Sequence, residues 1–276
     1  MIFENVYPCA ALQEYVSLYR IRHFIIPPNL RTTPKPYPPH PEQCIIFYPR
    51  GAEVTNFSGE NSKYTRSRSV IVGQFTKRID RISIDNEIMI ILVVFKPGVL
   101  HRLTGIPFRL LINMAVDLEA VIPVKAREVN VRLSSCETYE EMIGVIETFL
   151  LDLTATPKML SRPSDKIFEF MVSNSGKFTL DWLSKEACLS SRQFERKSQD
   201  YIGINPKLFA RIARFNQSYF MSMQPLRPDW LDISLYCGYH DYQHLVKDYK
   251  EFTGATPTYF MSEESRSIER ALGLNR

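Results

Sequence analysis

Four side chains on one predicted helix face, Arg192, Glu195, Arg196 and Gln199, recur in position 51 residues later as Gln243, Val246, Lys247 and Lys250. Spaced at i, i+3, i+4 and i+7, each set lines one stripe of an α-helix. Guanidinium, amide and ammonium groups in such a row match the donor and acceptor pattern of base edges in a major groove. Arg can make a bidentate contact to guanine, Lys can reach guanine or phosphate, and an acid such as Glu195 is useful only against cytosine N4. A single Arg or Lys is more often a solvated surface charge; the shared register of Arg196 and Lys247 is what singles these two out. Tyr242, at the start of the second helix, is a candidate phosphate contact, with capping and packing as equal alternatives. His240 and His244 flank the same start.

Other chemistries lack their residues. His23, His40 and His101 are far apart, with no His-x-His pair and no His-Glu-x-x-His helix to preset a metal site. There is no Gly-rich phosphate loop and no Gly-x-Ser-x-Gly elbow. Glu42 and Cys44 beside His40 read as ordinary loop neighbours. No catalytic residue, metal or cofactor is therefore expected, and the chain does not read as an enzyme. Cys9, Cys44, Cys136, Cys188 and Cys237 are odd in number and widely spaced, which suits reduced structural thiols better than a disulfide framework.

The two polar rows need elements to position them, and the sequence supplies these twice. Phe194, Arg196, Tyr201, Gly203 and Pro206 return as Leu245, Lys247, Phe252, Gly254 and Pro257. Each copy reads as a helix, a tight turn, a second amphipathic helix and a Gly-x-x-Pro stop, which is a duplicated helix-turn-helix. In the first copy Asp165 to Val172 is an apolar helix, Thr179 caps Leu180 to Ala187, Cys188-Leu189 makes the turn, and Ser190 with Gln193 forms a capping box. In the second, Ile233 and Leu235 anchor the positioning helix, Gly238 makes the turn and Asp241 caps the helix whose core face is Leu245, Tyr249 and Phe252. Between the copies Pro206 to Met221 predicts a helix with Phe209, Ile212, Phe215 and Tyr219 buried and Arg211, Arg214 and Gln217 exposed. At about 1.5 Å per residue it spans roughly 25 Å, the scale that separates successive turns of a duplex.

Residues 1–155 have a different texture. Seven prolines between 27 and 41 mark an irregular loop. Strands are predicted at 17–26, 44–48, 54–57, 70–75, 79–84 and 88–95, rich in β-branched and aromatic residues. Short strands with turns between them suggest a barrel or sandwich whose interior is filled by side chains or holds a small ligand. Thr138 to Leu153 predicts an amphipathic helix that covers the barrel or pairs with its copy in a homodimer. The expected fold class is α+β: a β-rich barrel- or sandwich-like domain with covering helices over 1–155, a linker over 156–164, an all-α domain of two helix-turn-helix units joined by a linker helix over 165–262, and a tail over 263–276.

Net charge is only +4. The part after residue 157 carries about 17 basic against about 14 acidic residues, so the charge case rests on placement rather than number. The longest apolar run, 88–95, is far short of the roughly 20 residues of a spanning helix. The first residues lack a basic n-region and a cleavage pattern. A cytoplasmic chain with no membrane segment is the expectation.

Leu189-Ser-Ser-Arg-Gln-Phe-Glu-Arg196 and Gly238-Tyr-His-Asp-Tyr-Gln-His-Leu-Val-Lys-Asp-Tyr-Lys250, closed by Phe252-Thr-Gly-Ala-Thr-Pro-Thr-Tyr259, resemble the DNA-binding domain of AraC/XylS-type transcription regulators. The resemblance covers about residues 165 to 260. It implies base reading by the positions of Arg192, Glu195 and Arg196 in the first helix and of Gln243, Val246 and Lys247 in the second. Double-stranded DNA is the implied partner, with RNA polymerase if the chain is an activator and a small-molecule effector or a second copy at the N-terminal half. The chain departs from the pattern at Ser198, where a bulky apolar residue is usual, at Cys188, where glycine is, and at Ser184 and Ser234, where alanine is commoner. Two other function classes stay open from the sequence: an enzyme or repair protein tethered by the duplicated module, and a protein-interaction module that has lost DNA binding.

Overall fold

The longest apolar run forms the hub of the N-terminal half. It lies in β8 (Glu87–Phe95), where Met89, Ile91, Val93 and Phe95 enter one core and Ile88, Ile90 and Leu92 enter another. A strand buried on both faces must be apolar throughout, so no polar alternation shows in the sequence. This computed structural model describes residues 1–30, 33–57, 67–156, 159, 162–174, 178–224 and 226–274.

Around β8 runs an antiparallel sheet in the order β1 (Ile2–Val6), β2 (Val16–Ile25), β8, β4 (Gln43–Arg50), β6 (Ser69–Val72) and β9 (Ala115–Asp117). A smaller sheet, β3 (Lys35–Tyr37), β7 (Ile79–Ser83) and β5 (Glu53–Phe57), contributes Tyr37 and Ile79 to the second core. The β-rich sandwich-like expectation holds. Its strands hold too, within a few residues; Val70 to Phe75 ends early, at Val72. The six predicted strands omit β1, β3 and β9. β3 is a correction to the proline loop, since Pro36 pairs with Asp80. It does so at a sheet edge, where a missing N–H is tolerated.

Helices cover the opposite face. α1 (Val99–Thr104) and a 3-10 turn at Phe108–Leu111 follow β8, and α2 (Leu118–Val121) leads into α3 (Pro123–Ser135) and α4 (Tyr139–Thr154). Thr138 caps α4 in a reciprocal box with Glu141. Met142, Val145, Ile146, Phe149 and Leu150 of α4 join Ala126, Val129 and Leu133 of α3 in the first core. Of the two uses expected for this helix, its apolar face serves to cover the sheet. Residues 157, 158, 160 and 161 of the expected linker lie outside the described residues; Met159 between them is buried in the first core.

The C-terminal half is helical: α5 (Pro163–Ser173), α6 (Leu180–Glu186), α7 (Ser191–Tyr201), α8 (Pro206–Ser222), α9 (Trp230–Tyr236), α10 (Tyr242–Thr253), α11 (Pro257–Glu264) and α12 (Ile268–Ala271). α5 starts two residues before the predicted Asp165, because Pro163 sits well in a first turn. The tail is not loose. Ile268 is buried in the second core of the N-terminal half, with Leu272 and Leu274 packed against it.

The two halves share a polar seam. Arg102 of α1 pairs with Asp165 of α5, both side chains nearly fully buried. Gln43 of β4 donates to the Tyr201 carbonyl at 2.7 Å and accepts from the Gly98 amide at 3.1 Å. Gly98 has a φ of +82°, which favours glycine, and a Cβ there would stand 3.2 Å from the Tyr201 ring, a tight fit. His101 stacks on Tyr201 at 4.6 Å, Arg109 pairs with Asp200, and Arg78 pairs with Glu263 at 2.7 Å.

Candidate nucleic-acid interface

The first unit is built as its residues dictate. Thr179 caps α6 by accepting from the Trp182 amide at 3.2 Å, and Ser190 caps α7 in a full box with Gln193. Between them Cys188 takes φ +54°, the left-handed conformation that a glycine would adopt without strain. Phe194 stacks on Phe168 of α5 at 5.3 Å. Ser198 is fully buried, and its hydroxyl donates to the Ile204 carbonyl at 2.7 Å, closing the turn after α7.

The second unit repeats this with a larger aromatic core. Asp229 caps α9, Gly238 makes the turn at φ +77°, and Asp241 caps α10. Tyr249, at the place of Ser198, packs on Phe215 at 4.8 Å and Trp230 at 5.6 Å. Ile233 is buried as expected, whereas Leu235 is more than half exposed and does not anchor the helix. The turns also differ in length. The amides of Leu189 and Tyr239 return to Ser184 and Ser234 in the same way, 50 residues apart, yet the caps Ser190 and Asp241 are 51 apart. His240 is therefore an extra residue in the second turn.

α8 joins the units through buried Phe209, Ile212, Phe215 and Tyr219. Its arginines correct the expectation of exposure. Arg211, Arg214 and Gln217 are half-buried, because the guanidiniums turn toward α10. Arg211 reaches both Asp248 and Glu251 at 2.6 Å, and Arg214 lies 4.2 Å over the Tyr239 ring and 3.5 Å from Asp248. The bond to Glu251, opposed by partial burial and aided by Asp248, raises the Arg211 pKa above its ordinary value. Asp248 thus staples α8 to the helix that carries the second polar row.

Both rows face outward. Arg192, Glu195, Arg196 and Gln199 are exposed on α7. On α10 Gln243, Lys247 and Lys250 are exposed, and Val246 and Tyr242 are half-buried, Tyr242 packing against the helical core. Among the described residues no hydrogen bond or ion pair engages the side chains of the two rows, so each row is free to meet a partner. The C-terminal end of α7 is engaged: Tyr201 and Asp200 belong to the seam with the N-terminal half.

That half has a small cavity of about 60 Å³ between its two sheets. Tyr37, His40, Cys44, Tyr48, Arg81 and Leu92 are among its lining residues. Arg81 is neutralised by Glu53, and Glu42 at the rim by Arg20 at 2.5 Å. Burial pushes the Cys44 thiol up to about 12, so it is an inert wall group. His40 stacks on Tyr37 at 4.5 Å and meets Phe220 and Tyr219 of α8 edge-on at 5.9 and 6.2 Å. On sequence alone His40, with Glu42 and Cys44, reads as an ordinary loop residue, because Tyr219 and Phe220 lie about 180 residues away. Among the described residues no helix is long and apolar enough to cross a membrane.

Comparison with known proteins agrees with this geometry. Residues 183–263 match the model of a helix-turn-helix domain, and residues 4–117 match that of a domain of unknown function. The HTH-type transcriptional regulator ArgR of Pseudomonas aeruginosa is 32% identical over 79 residues, 29% of this chain and 24% of that protein. The chain thus spans about a quarter of the length of this curated relative. Among solved structures, unsaturated fatty acid-bound ToxT from Vibrio cholerae strain SCE256 aligns with TM-score 0.50 and 12% identity, over 88% of this chain and 95% of that one. ToxT from Vibrio cholerae O395 aligns with TM-score 0.49 and 9% identity, over 90% and 98%. Two capped units in register and the matched segment 183–263 lead to one assignment: the C-terminal part of the chain carries a helix-turn-helix domain, similar over 79 residues to a transcriptional regulator.

Proposed function

We propose that the chain is a sequence-specific, DNA-binding transcription regulator that lays α7 and α10 into successive major grooves of one duplex. The observation that carries this reading is the pair of exposed, unengaged rows, Arg192 to Gln199 and Gln243 to Lys250, held on one body by α8 and the Asp248 staple. Arg196 is assigned a guanine contact, Lys247 a guanine or phosphate contact, and Tyr242 a phosphate contact. The modest net charge fits a binder whose basic groups are few and placed.

The cavity is assigned to a small effector with an apolar body and a few hydrogen-bonding groups, since its charged wall residues are already paired. His40 gives such a ligand a route to α8, because the same ring lines the cavity and touches Phe220 and Tyr219. Duplex binding by the full chain, measured by anisotropy across a salt series, tests the reading. Log affinity should fall with log salt at about 0.9 per phosphate neutralised. Absence of binding at low salt, or binding indifferent to salt, would transfer the module to protein interaction.

A further inference from the structure

We propose that His240, Asp241 and His244 form a binding site for a divalent transition-metal ion of zinc's class at the N-terminal end of α10. The His240 Nδ1 lies 3.2 Å from Asp241 Oδ2, and the His244 Nδ1 lies 2.9 Å from Asp241 Oδ1. One ligand atom from each of the three residues lies within 4.8 Å of the others, the sole such group of His, Cys, Asp and Glu found among the described residues. Tetrahedral zinc with bonds of about 2.0–2.1 Å sets its ligands roughly 3.3 Å apart, close to the two His–Asp distances, and the three side chains need only draw together around an ion.

The chain builds this cluster through the difference in length between its two turns. The extra residue of the second turn is His240, placed beside the cap. At the first turn Leu189 directly precedes the cap Ser190 and Gln193 stands at the place of His244, so no imidazole is present. Asp241 is fixed in place by accepting from the His244 amide at 2.9 Å, so the carboxylate is oriented before any ion arrives. Its charge also offsets the unfavourable meeting of a cation with the positive end of a helix.

Two imidazoles and one carboxylate select zinc, cobalt, nickel or copper over magnesium or calcium, which take oxygen ligands. The side chains of His240, His244 and Asp241 are 86%, 60% and 45% exposed, so the ion would keep open positions for water or another oxygen ligand. The site adjoins Gln243 and stands one helical turn before Lys247, at the end of α10 assigned to the groove.

The test is titration of the untagged full chain with Co²⁺ and Zn²⁺, followed by the visible absorption of bound cobalt and by calorimetry. One ion per chain is expected, with Zn²⁺ displacing Co²⁺. His240→Gln and His244→Gln should each weaken binding by roughly tenfold or more. Asp241→Asn should do the same while leaving α10 capped, since asparagine caps as well as aspartate, which separates loss of metal from loss of fold. No stoichiometric binding, or binding unchanged in all three variants, would overturn the site.

Discussion

Lys35 Nζ and Glu269 Oε1 meet at 2.7 Å inside the boundary between the N-terminal sheets and the C-terminal tail, with 10% and 3% of their side chains exposed. One sits on the edge strand β3, the other on α12, beyond the second helix-turn-helix unit. Burial pulls the Lys35 ammonium down to about 8 against the pull of Glu269. Burial alone would raise Glu269, but Lys35 and Arg81 hold it below the usual carboxylate value. The pair ties the last helix of the chain to the wall of the half that carries the cavity.

Breaking this pair from one side should be far worse than removing it whole. Lys35→Met or Glu269→Gln leaves a buried group without its partner and should cost about 3–5 kcal/mol in urea unfolding of the full chain. Lys35→Met combined with Glu269→Leu should recover most of that loss. Additive losses in the double variant would mean that the two residues act separately.

The Asp248 staple should matter for holding the units together more than for either unit alone. Asp248→Ala removes charge-assisted bonds to Arg211 and Arg214 and should destabilise by about 1–3 kcal/mol. Its loss should weaken binding to a duplex carrying both half-sites and leave binding to a single half-site nearly unchanged. Equal weakening of both would place Asp248 in the contact itself.

Cys188→Gly should stabilise the chain by about 1 kcal/mol, because the residue holds φ +54° and only glycine adopts that region freely. A higher urea midpoint with unchanged slope is the expected result. A lower midpoint would show that the thiol packs usefully despite its exposure.

The duplicated module was legible because it obeys local rules: caps at Thr179, Ser190 and Asp241, turns at Cys188 and Gly238, and apolar residues at helical spacing. The strands around β8 were legible from β-branched and aromatic runs. β1, β3 and β9 were not, since they are short, polar or proline-bearing and owe their conformation to a neighbouring strand. The seam was hidden for a related reason. Arg102, Asp165, Gln43, Lys35 and Glu269 are ordinary polar residues until the fold brings them together across 60 to 230 positions, and no periodicity announces them. Arg211 and Arg214 were read as exposed because a helix face opposite apolar residues is normally solvated; here a second helix lies against it.

The central claim is that Arg196 and Lys247 read separate parts of one site from a single body. Selection of binding sites from random duplex DNA with wild type, Arg196→Ala and Lys247→Ala tests it most directly. Arg196→Ala should relax preference at one or two base pairs and cost about 1–3 kcal/mol, and Lys247→Ala should act about one helical turn away. Should Lys247 meet phosphate instead, its loss would weaken all sequences alike and lower the salt slope by about one unit. The same altered positions in both variants, or unaltered selection and affinity in both, would contradict the account.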